Sequence, residues 1–308
     1  MKTEGLHHVT AFARDPQENL RFYTEVLGLR LVKKTVNFDD PATYHFYFGN
    51  QNGDPGTIMT FFPFQGSGQG TVGKGQAGRV YFSVPKGSLS FWKERLEKNG
   101  LKLEEKTIFG EKALVFHDTE DLPLAIIEDE KGNKSDWTPD SISKHEAITG
   151  MKGVLLYSYD PQATIQLLTE SFGYSKAAEE EQIVRLTSSA AIGGVIDVHL
   201  HPEKRGVGGY GTVHHVAFRT TKEEQAKWLP IIAENHLPSS EILDREYFTS
   251  VYFREKGGIL FEIATDEPGF MTDETFDELG TSLKLPEWLE KTKWKRGALE
   301  AEIFRRGQ

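Results

Sequence analysis

The chain has 308 residues, of which 38% are hydrophobic and 27% charged, an ordinary composition for a soluble protein large enough for two domains. Its formal net charge of −10 argues against a nucleic-acid partner, because phosphate binding needs a basic surface. Cysteine is absent, which excludes disulfides, cysteine–zinc sites and thiol nucleophiles. The N-terminus MKTEGLHHVT has no apolar signal segment and no run reaches transmembrane length, so we expect a cytoplasmic protein without membrane contact.

A unit of one strand, one helix and several further strands occurs four times, with a period of about 70 residues. The leading strands are predicted at 6–12, 78–84, 152–158 and 212–218. Amphipathic helices follow at 19–29, 89–101, 164–174 and 224–237. The modules close with strand pairs at 44–49 and 57–62, 113–117 and 123–128, 182–187 and 194–200, and 249–254 and 258–264. The sequence therefore predicts an α+β protein of four βαβββ modules.

Three stretches stand apart from the modules. Residues 64–78 are rich in glycine and should form a flexible or ligand-covering loop, and the polar stretch 129–150 connects the two halves of the chain. The C-terminal stretch has helical patterns around PEWLEKTKW and ALEAEIF. The predicted division of the chain is a first domain at 5–130, a second at 150–267 and an extension at 268–308.

Two histidine pairs and one glutamate lie inside predicted strands: LHHVTAF at 6–12, VHHVAF at 213–218 and ILFEIAT at 259–265. A carboxylate inside an apolar strand is costly to desolvate unless it is paired or bound to a metal. Two imidazoles and one carboxylate on one side of a divalent ion leave positions open for substrate and oxygen, as in non-haem iron sites. The three strands therefore predict a metal centre.

Side-chain alternation indicates which histidine of each pair is the ligand. Neighbouring residues of a strand face opposite sides, so one member of each pair should reach the ion. Val216 and Phe218 share the face of His214 and suit packing under a helix, which leaves His215 for a cavity. The alternation is less decisive in the first module. The ligands chosen are His8, His215 and Glu262, with His7 and His214 as candidates for supporting them or for acid–base catalysis.

The ligands also bear on how the modules pair. They come from modules one and four, while the leading strands of modules two and three, RVYFSV and KGVLLYS, offer none. A single barrel that holds the whole site must therefore combine module one with module four. The plainer alternative pairs one with two and three with four, and it would bring ligands from different barrels. We favour the first pairing.

The motifs LHHVT, GTIMTFFPF, PKGSL, VHHVAF and REYFTSVYFREKGGILFEIATDEPGF occur in this order over nearly the whole chain. Together they resemble the vicinal oxygen chelate superfamily of glyoxalases and extradiol dioxygenases, and within it the hydroquinone-type ring-cleaving dioxygenases. The resemblance implies two half-open β-barrels and non-haem Fe(II), with Mn(II) as the other candidate metal. It also implies a para-dihydroxylated aromatic substrate opened with O2, in aromatic hydrocarbon catabolism and detoxification.

Carried over position by position, the resemblance places the metal ligands on His8, His215 and Glu262. It places residues that support the metal or the substrate on His7, His214, Arg245 and Tyr252. Tyr252 and the two histidines would move protons as the ring opens. Arg245 would hold an anionic oxygen or orient Tyr252.

Other functions compete with this one. A glyoxalase-like isomerase needs a fourth, acidic ligand, yet the strand at 57–64 has no Asp or Glu, and its Met59 and Phe61 suit an aromatic substrate. A catechol extradiol dioxygenase or a non-catalytic aromatic- or drug-binding protein would use the same scaffold. The acidic surface and edge strands permit a homodimer.

Single residues also have plainer explanations. His199 and His201 share a strand face and could suggest a second metal, but only Glu128 offers a carboxylate, so we expect a structural or exposed role. Tyr252 could be a core tyrosine with a hydrated hydroxyl. Arg245 could simply pair with Asp244 or Glu246.

Overall fold

The computed structural model describes residues 1–130, 135–139 and 141–291. Module one comprises β1 (Leu6–Ala13), α1 (Pro16–Arg21), β2 (Arg30–Asn37), β3 (Asp40–Gly49) and β4 (Ile58–Pro63), with a π-helical turn after α1 at Phe22–Val26. Module two comprises β5 (Gln76–Val84), α2 (Leu89–Lys98), β6 (Glu104–Ile108), β7 (Glu111–His117) and β8 (Pro123–Glu128).

The second half of the chain repeats this order. Module three comprises β9 (Gly150–Tyr157), α3 (Pro161–Glu170), β10 (Ser175–Glu180), β11 (Ile183–Thr187) and β12 (Val195–His199). Module four comprises β13 (Val213–Thr220), α4 (Lys222–Glu234), β14 (Leu243–Asp244), β15 (Thr249–Arg254) and β16 (Leu260–Thr265). The predicted α+β class with four βαβββ modules is confirmed.

The strand that follows each helix was the element missing from the sequence pattern: β2, β6, β10 and β14. Strands β6 and β10 are exposed along almost their whole length, so they lack the alternation of apolar and polar residues that marks a half-buried strand. Strand β14 has only two residues. In strand β2 the charged side chain of Lys33 is buried, and this lysine interrupts the apolar pattern by which the strand could be recognised in the sequence.

The strands form two curved eight-stranded sheets. The first has the order β14-β15-β16-β13-β1-β4-β3-β2, so it combines modules one and four. The second has the order β10-β11-β12-β9-β5-β8-β7-β6, so it combines modules two and three. Each half-barrel therefore draws one module from each half of the chain. We call them the first and the second half-barrel.

The helices pack against the sheets and begin at well-formed caps. The Asp15 carboxylate accepts backbone hydrogen bonds at the start of α1, and Asp160 does the same for α3; a proline follows each cap at the first helical position. Trp92 of α2 and Trp228 of α4 are fully buried in the main hydrophobic core. No helix in the described part of the chain has both the length and the apolar character needed to span a membrane.

The extension after β16 packs on the first half-barrel. The ring of Phe270 lies 5.1 Å from that of Tyr47, and the carboxylate of Glu274 pairs with the buried ammonium of Lys33. A short helix, α5 (Glu287–Glu290), lies within the first predicted helical pattern. The second pattern, ALEAEIF, lies outside the described residues.

The glycine-rich stretch 64–78 is held by backbone hydrogen bonds to the connection between modules three and four. The N–H groups of Thr71 and Lys74 donate to the carbonyls of Val207 and Lys204, at 2.9 and 2.8 Å. Phe64, at the start of the stretch, lines the cavity of the first half-barrel. Phe64 is thus the residue of the stretch that lines this cavity, and backbone hydrogen bonds anchor the stretch to the neighbouring connection.

Candidate metal centre

Three adjacent strands of the first half-barrel carry the predicted ligands at one level. Strands β1 and β13 are antiparallel, with Thr10 opposite His215 and His8 opposite Ala217. Strand β16 runs parallel to β13 and places Glu262 beside Ala217. Since residues opposite each other in a sheet point to the same side, this register gathers the two imidazoles and the carboxylate on one face.

The three ligand atoms converge. His8 Nε2 lies 3.1 Å from His215 Nε2, while Glu262 Oε2 lies 3.2 Å from the first nitrogen and 2.8 Å from the second. Among the described residues, no other three histidine, cysteine or acidic side chains meet in this way. Metal–ligand bonds of about 2.1 Å at right angles put neighbouring ligand atoms about 3.0 Å apart, so the triangle fits one face of an octahedral ion.

Glu262 has the environment of a metal ligand. Its side chain is fully buried, and Oε1 accepts a hydrogen bond from Ser250. The two imidazole nitrogens approach Oε2 without hydrogen-bond geometry, so Oε2 has no hydrogen-bond partner within the described chain. Burial raises the pKa of Glu262, but the imidazoles of His8 and His215 outweigh burial and hold that pKa well below its ordinary value. A buried, ionised oxygen without a partner suits a bound cation.

In each histidine pair, the residue that is not a candidate ligand (His7 or His214) lies closer to its neighbour than regular alternation allows. The pairing of β1 with β13 skips one residue at His7 and one at His214, so each is the extra residue of a β-bulge. The bulges bring His7 Nδ1 to 2.8 Å from His8 Nδ1, and His214 Nδ1 to 2.7 Å from His215 Nδ1. The expectation that each pair faces opposite sides of its sheet is therefore wrong.

Each bulge histidine can accept a hydrogen bond from the ligand beside it. Burial, followed by the nearby charge of His8, lowers the pKa of His7 from 6.5 to about 3. Burial and the nearby His215 likewise lower the pKa of His214 to about 3. Both rings are therefore neutral at pH 7, and we assign each Nδ1 as an acceptor for the Nδ1–H of the ligand. Such a partner fixes the ring orientation and leaves Nε2 for the metal.

Tyr252 and Arg245 lie at one side of the centre. The ring of Tyr252 is 5.7 Å from that of His215, and the Arg245 guanidinium lies 5.1 Å from the centre of the Tyr252 ring. Arg245 donates to both carboxylate oxygens of Asp39, at 3.2 and 3.0 Å. Its acidic partner is thus on the β2–β3 turn, and is neither Asp244 nor Glu246. Burial raises the pKa of Tyr252, and the charge of Glu262 adds to that effect.

Sequence reasoning missed a polar row on the other side of the centre. Thr10 Oγ1 lies 2.9 Å from His215 Nε2 and 2.8 Å from Thr60 Oγ1. His45 Nε2 is 2.8 Å from Thr60 Oγ1, and the Tyr47 hydroxyl is 2.9 Å from His45 Nδ1. Alternation along β3 and β4 puts these side chains on the ligand face, but only the register of the sheet reveals that they meet.

A cavity of about 310 Å³ opens beside the ligands. His8, His215, His45, Tyr252 and Arg245 contribute polar atoms to it. The apolar lining consists of Phe12, Phe38, Phe62, Phe64, Phe248 and Leu260. This volume is at the small end of the roughly 300–1,000 Å³ usual for small-molecule pockets, which suits a single substituted ring.

The sequence profile of the Glyoxalase/Bleomycin resistance protein/Dioxygenase superfamily matches residues 5–135 and 150–263. The chain belongs to this superfamily.

Relatives within the superfamily are named as ring-cleaving enzymes. The chain is 91% identical over 291 residues to "Putative ring-cleaving dioxygenase MhqE" of Bacillus subtilis (strain 168), covering 94% of this chain and 96% of that protein. It is 32% identical over 303 residues to the "Chlorohydroquinone/hydroquinone 1,2-dioxygenase" of Sphingobium indicum, covering 95% and 94%. A crystal structure of a "putative dioxygenase" from Bacillus subtilis superposes with a TM-score of 0.95 at 47% identity, covering 98% and 96%.

In this member of the superfamily, the strand beside β1 supplies no fourth ligand. Thr60 lies opposite Tyr47 across β3 and β4, just as Glu262 lies opposite Tyr252 across β15 and β16. A hydroxyl therefore occupies the position related to the carboxylate. Met59 and Phe61, which suit an aromatic substrate by sequence, belong to the main core and do not line the cavity.

His199 and His201 do not form a ligand cluster with Glu128 in the described structure. His201 is exposed, and its backbone N–H donates to His199 Nδ1 at 3.1 Å. Glu128, the carboxylate considered for that site, accepts backbone N–H groups of Gly87 and Leu89 at the start of α2. These side chains do not converge on a point in the described structure.

Proposed function

We propose that the protein is an Fe(II)-dependent dioxygenase that opens a para-dihydroxylated aromatic ring with O2. The observation that carries the proposal is the ligand triangle of His8, His215 and Glu262 at the wall of a small aromatic-lined cavity. Three protein ligands on one face leave the opposite positions of an octahedral ion for a substrate oxygen and O2. The hydroquinone dioxygenase of Sphingobium indicum supports the para-diol as substrate class.

His8, His215 and Glu262 would hold the metal through Nε2, Nε2 and Oε2. This donor set suits Fe(II) and also accepts Mn(II). When bound, a redox-active metal supplies the electronic link between an aromatic diol and O2, whose direct reaction is slow. The histidines that support the ligands fix the orientation of the two imidazoles through the Nδ1 contacts.

The aromatic lining would position the substrate ring. The rings of Phe12 and Phe62 lie 5.0 and 5.6 Å from that of His214, and Phe248 lies 5.3 Å from His8. A planar substrate between these walls keeps one oxygen at the metal face and excludes water from the reacting atoms. The apolar walls select a ring, and the ligand triangle selects a hydroxyl.

Two groups beside the metal ligands would handle protons. With Nδ1 accepting from His215, neutral His214 carries its proton on Nε2 and can donate it to a substrate oxygen. The Tyr252 hydroxyl stays protonated because its pKa is raised, so it too is a donor. The Arg245 guanidinium beside Tyr252 favours negative charge on an oxygen at this end of the cavity.

Thr60 disfavours the isomerase as a second candidate. A glyoxalase-like isomerase needs an acidic fourth ligand, and the position related to Glu262 carries a neutral hydroxyl instead. An additional position would then be open to small ligands such as O2. Hydrogen bonds with Thr10 and His45 satisfy the Thr60 hydroxyl without a metal.

Oxygen consumption tests the proposal. The protein is loaded anaerobically with Fe(II) and offered hydroquinone or catechol in separate reactions. We expect oxygen uptake and a ring-opened chromophore with hydroquinone, lost in His215→Ala and retained in His199→Ala, a matched histidine removal in the second half-barrel. Uptake with catechol alone would change the substrate class. Iron binding without uptake on either diol would refute the dioxygenase assignment.

A further inference from the structure

A hydrogen-bonded row crosses three strands of the first half-barrel and ends at a metal ligand. It runs from Tyr47 through His45, Thr60 and Thr10 to His215, with successive distances of 2.9, 2.8, 2.8 and 2.9 Å. All five side chains are buried. The row uses side chains of β3, β4 and β1, and none of the first four belongs to the ligand triangle.

Counting donors gives the row a direction. The Tyr47 phenol stays protonated because burial raises its pKa, and burial also keeps His45 neutral by lowering its pKa. His215 donates through Nδ1–H to His214, so its Nε2 is an acceptor and takes the Thr10 hydrogen. Each threonine hydroxyl has a single proton, so Thr60 donates to Thr10, and His45 Nε2–H donates to Thr60. Neutral His45 then accepts at Nδ1 from the Tyr47 phenol.

Metal binding would leave the Thr10 hydroxyl, the last donor of the row, without its acceptor. When His215 Nε2 binds a metal, its lone pair no longer accepts the Thr10 hydrogen. We propose that His45 is a positioning residue that, through Thr60, fixes the Thr10 hydroxyl as a donor to a ligand at an open metal position. The proposal rests on the function given above, because it assumes that a small ligand such as O2 uses such a position.

The second half-barrel lacks this row, although its strands have the same arrangement. There, Ala125 lies opposite Val115 across β7 and β8, as Thr60 lies opposite Tyr47 across β3 and β4. Ala113, two residues before Val115, corresponds to His45. The sheet therefore does not need these polar groups to form. They are present only in the half-barrel that carries the ligand triangle.

Four variants separate a positioning role from a structural one. His45→Phe removes both ring nitrogens, and Thr60→Val removes the hydroxyl without changing size. His45→Gln keeps one donor and one acceptor and should restore the row. Thr35→Val is the matched control: Thr35 is equally buried on neighbouring β2, opposite His45, and its hydroxyl has no hydrogen-bond partner among the described residues.

The first readout is the affinity of the Fe(II)-loaded variants for nitric oxide, followed by electron paramagnetic resonance. Nitric oxide is a stable substitute for O2 at ferrous centres, so this readout does not depend on turnover. We expect His45→Phe and Thr60→Val to weaken nitric oxide binding by about tenfold, the usual consequence of losing one well-placed hydrogen bond. Iron content should remain that of the wild type, and His45→Gln and Thr35→Val should bind nitric oxide normally.

The second readout is steady-state kinetics, where we expect KM for O2 to rise more than kcat falls in the first two variants. Unchanged nitric oxide affinity in both would overturn the proposal, as would loss of iron from both. If His45→Phe does not fold, Thr60→Val decides alone. If the wild type opens no diol, the proposed function fails, whereas nitric oxide binding still tests the role of His45.

Discussion

The two half-barrels have the same strand arrangement but different chemistry at equivalent positions. The pairing of β1 with β13 has bulges at His7 and His214, and the pairing of β5 with β9 has bulges at Gly78 and Lys152. By this register, the positions of the candidate metal ligands His8, His215 and Glu262 are occupied in the second half-barrel by Arg79, Gly153 and Asp197. The backbone therefore provides the same positions twice, and the side chains decide their use.

An ion pair in the second half-barrel occupies the place that corresponds to the candidate metal site. Arg185, which corresponds to Tyr252, donates two hydrogen bonds of 2.8 Å to the carboxylate of Asp197 and a third of 2.7 Å to Glu111. Asp197 is as deeply buried as Glu262, but a guanidinium satisfies both of its oxygens. The two carboxylates at matching positions thus differ: the protein pairs both oxygens of Asp197, whereas Oε2 of Glu262 has no hydrogen-bond partner within the described chain.

Close packing also excludes a metal-binding side chain from the second half-barrel at the position that corresponds to His215. Gly153 holds the position of His215, and a Cβ there would lie 1.8 Å from the carbonyl oxygen of Val195. No side chain fits without moving the backbone of β12. The comparison shows that the same bulged strand pair carries two imidazoles and a carboxylate with an unpaired oxygen in the first half-barrel, and a paired arginine and aspartate in the second.

Glu262→Gln should give the largest effect, since it removes the charge that the protein leaves for a cation. We expect iron content to fall and ring cleavage to drop by more than about a hundredfold, beyond the loss usual for residues that only support a ligand. Elemental analysis and oxygen uptake measure the two effects. The metal-free protein should remain folded, because glutamine keeps an oxygen for the Ser250 hydrogen bond and removes the charge from the oxygen that has no hydrogen-bond partner within the described chain. Normal iron content would show that Glu262 is not a ligand.

Tyr252→Arg would transfer the ion pair of the second half-barrel to the first. The guanidinium should bind Glu262 as Arg185 binds Asp197, so we expect metal affinity to fall by roughly a hundredfold. Titration with Mn(II), followed by electron paramagnetic resonance, measures that affinity. Tyr252→Phe is the control and should bind Mn(II) normally. Undiminished affinity in Tyr252→Arg would mean that charge pairing does not determine which half-barrel holds the metal.

The ligand triangle was predictable because its signals are local in the sequence. Paired histidines in two apolar strands and a glutamate in a third are unusual, and the structure brings His8, His215 and Glu262 together. Alternation along β13 does not separate its two histidines, because the bulge lets both His214 and His215 line the cavity. The four-module repeat followed from apolar periodicity in the helices and the leading strands. Strands such as β10 escaped because exposure on both faces leaves no such periodicity.

The remaining features depend on register, which a single strand does not encode. The bulges at His7 and His214 arise where two distant strands meet with unequal numbers of residues. Arg245 has acidic neighbours in the chain, yet its partner Asp39 is 206 positions away. Thr60 and His45 likewise became recognisable only as members of a row across three strands.

Asp197→Asn should lower the stability of the protein, whereas Glu262→Gln should lower its metal binding. The change removes one of the two carboxylates that pair with the buried Arg185 guanidinium, and breaking a buried pair in this way costs about 3–5 kcal/mol. Denaturant unfolding of the metal-free protein measures that loss. Iron content of the folded variant should equal that of the wild type. A variant that loses iron but not stability would reverse the roles assigned to the two half-barrels.

The smallest expected effect is on the pH dependence of stability, and it comes from the bulge histidines of the first half-barrel. The folded protein holds the pKa of His7 and His214 near 3, whereas the unfolded chain binds protons at the ordinary 6.5. Since the unfolded state then binds more protons, the free energy of unfolding should fall as pH decreases below about 6.5, and stop falling near pH 3.

Between pH 6.5 and 5.5 this loss is roughly 1 kcal/mol for each histidine in the metal-free protein. His7→Phe and His214→Phe should each reduce the pH dependence by that amount, because the unfolded state loses a proton-binding group that the folded state does not use. His201→Phe, an exposed histidine in the second half-barrel, is the control and should leave the dependence unchanged. Denaturant unfolding at the two pH values gives the difference directly. If both bulge variants keep the full wild-type dependence, the buried imidazoles are not the source of the acid sensitivity, and charged pairs such as Lys152 with Asp129 become the next group to examine.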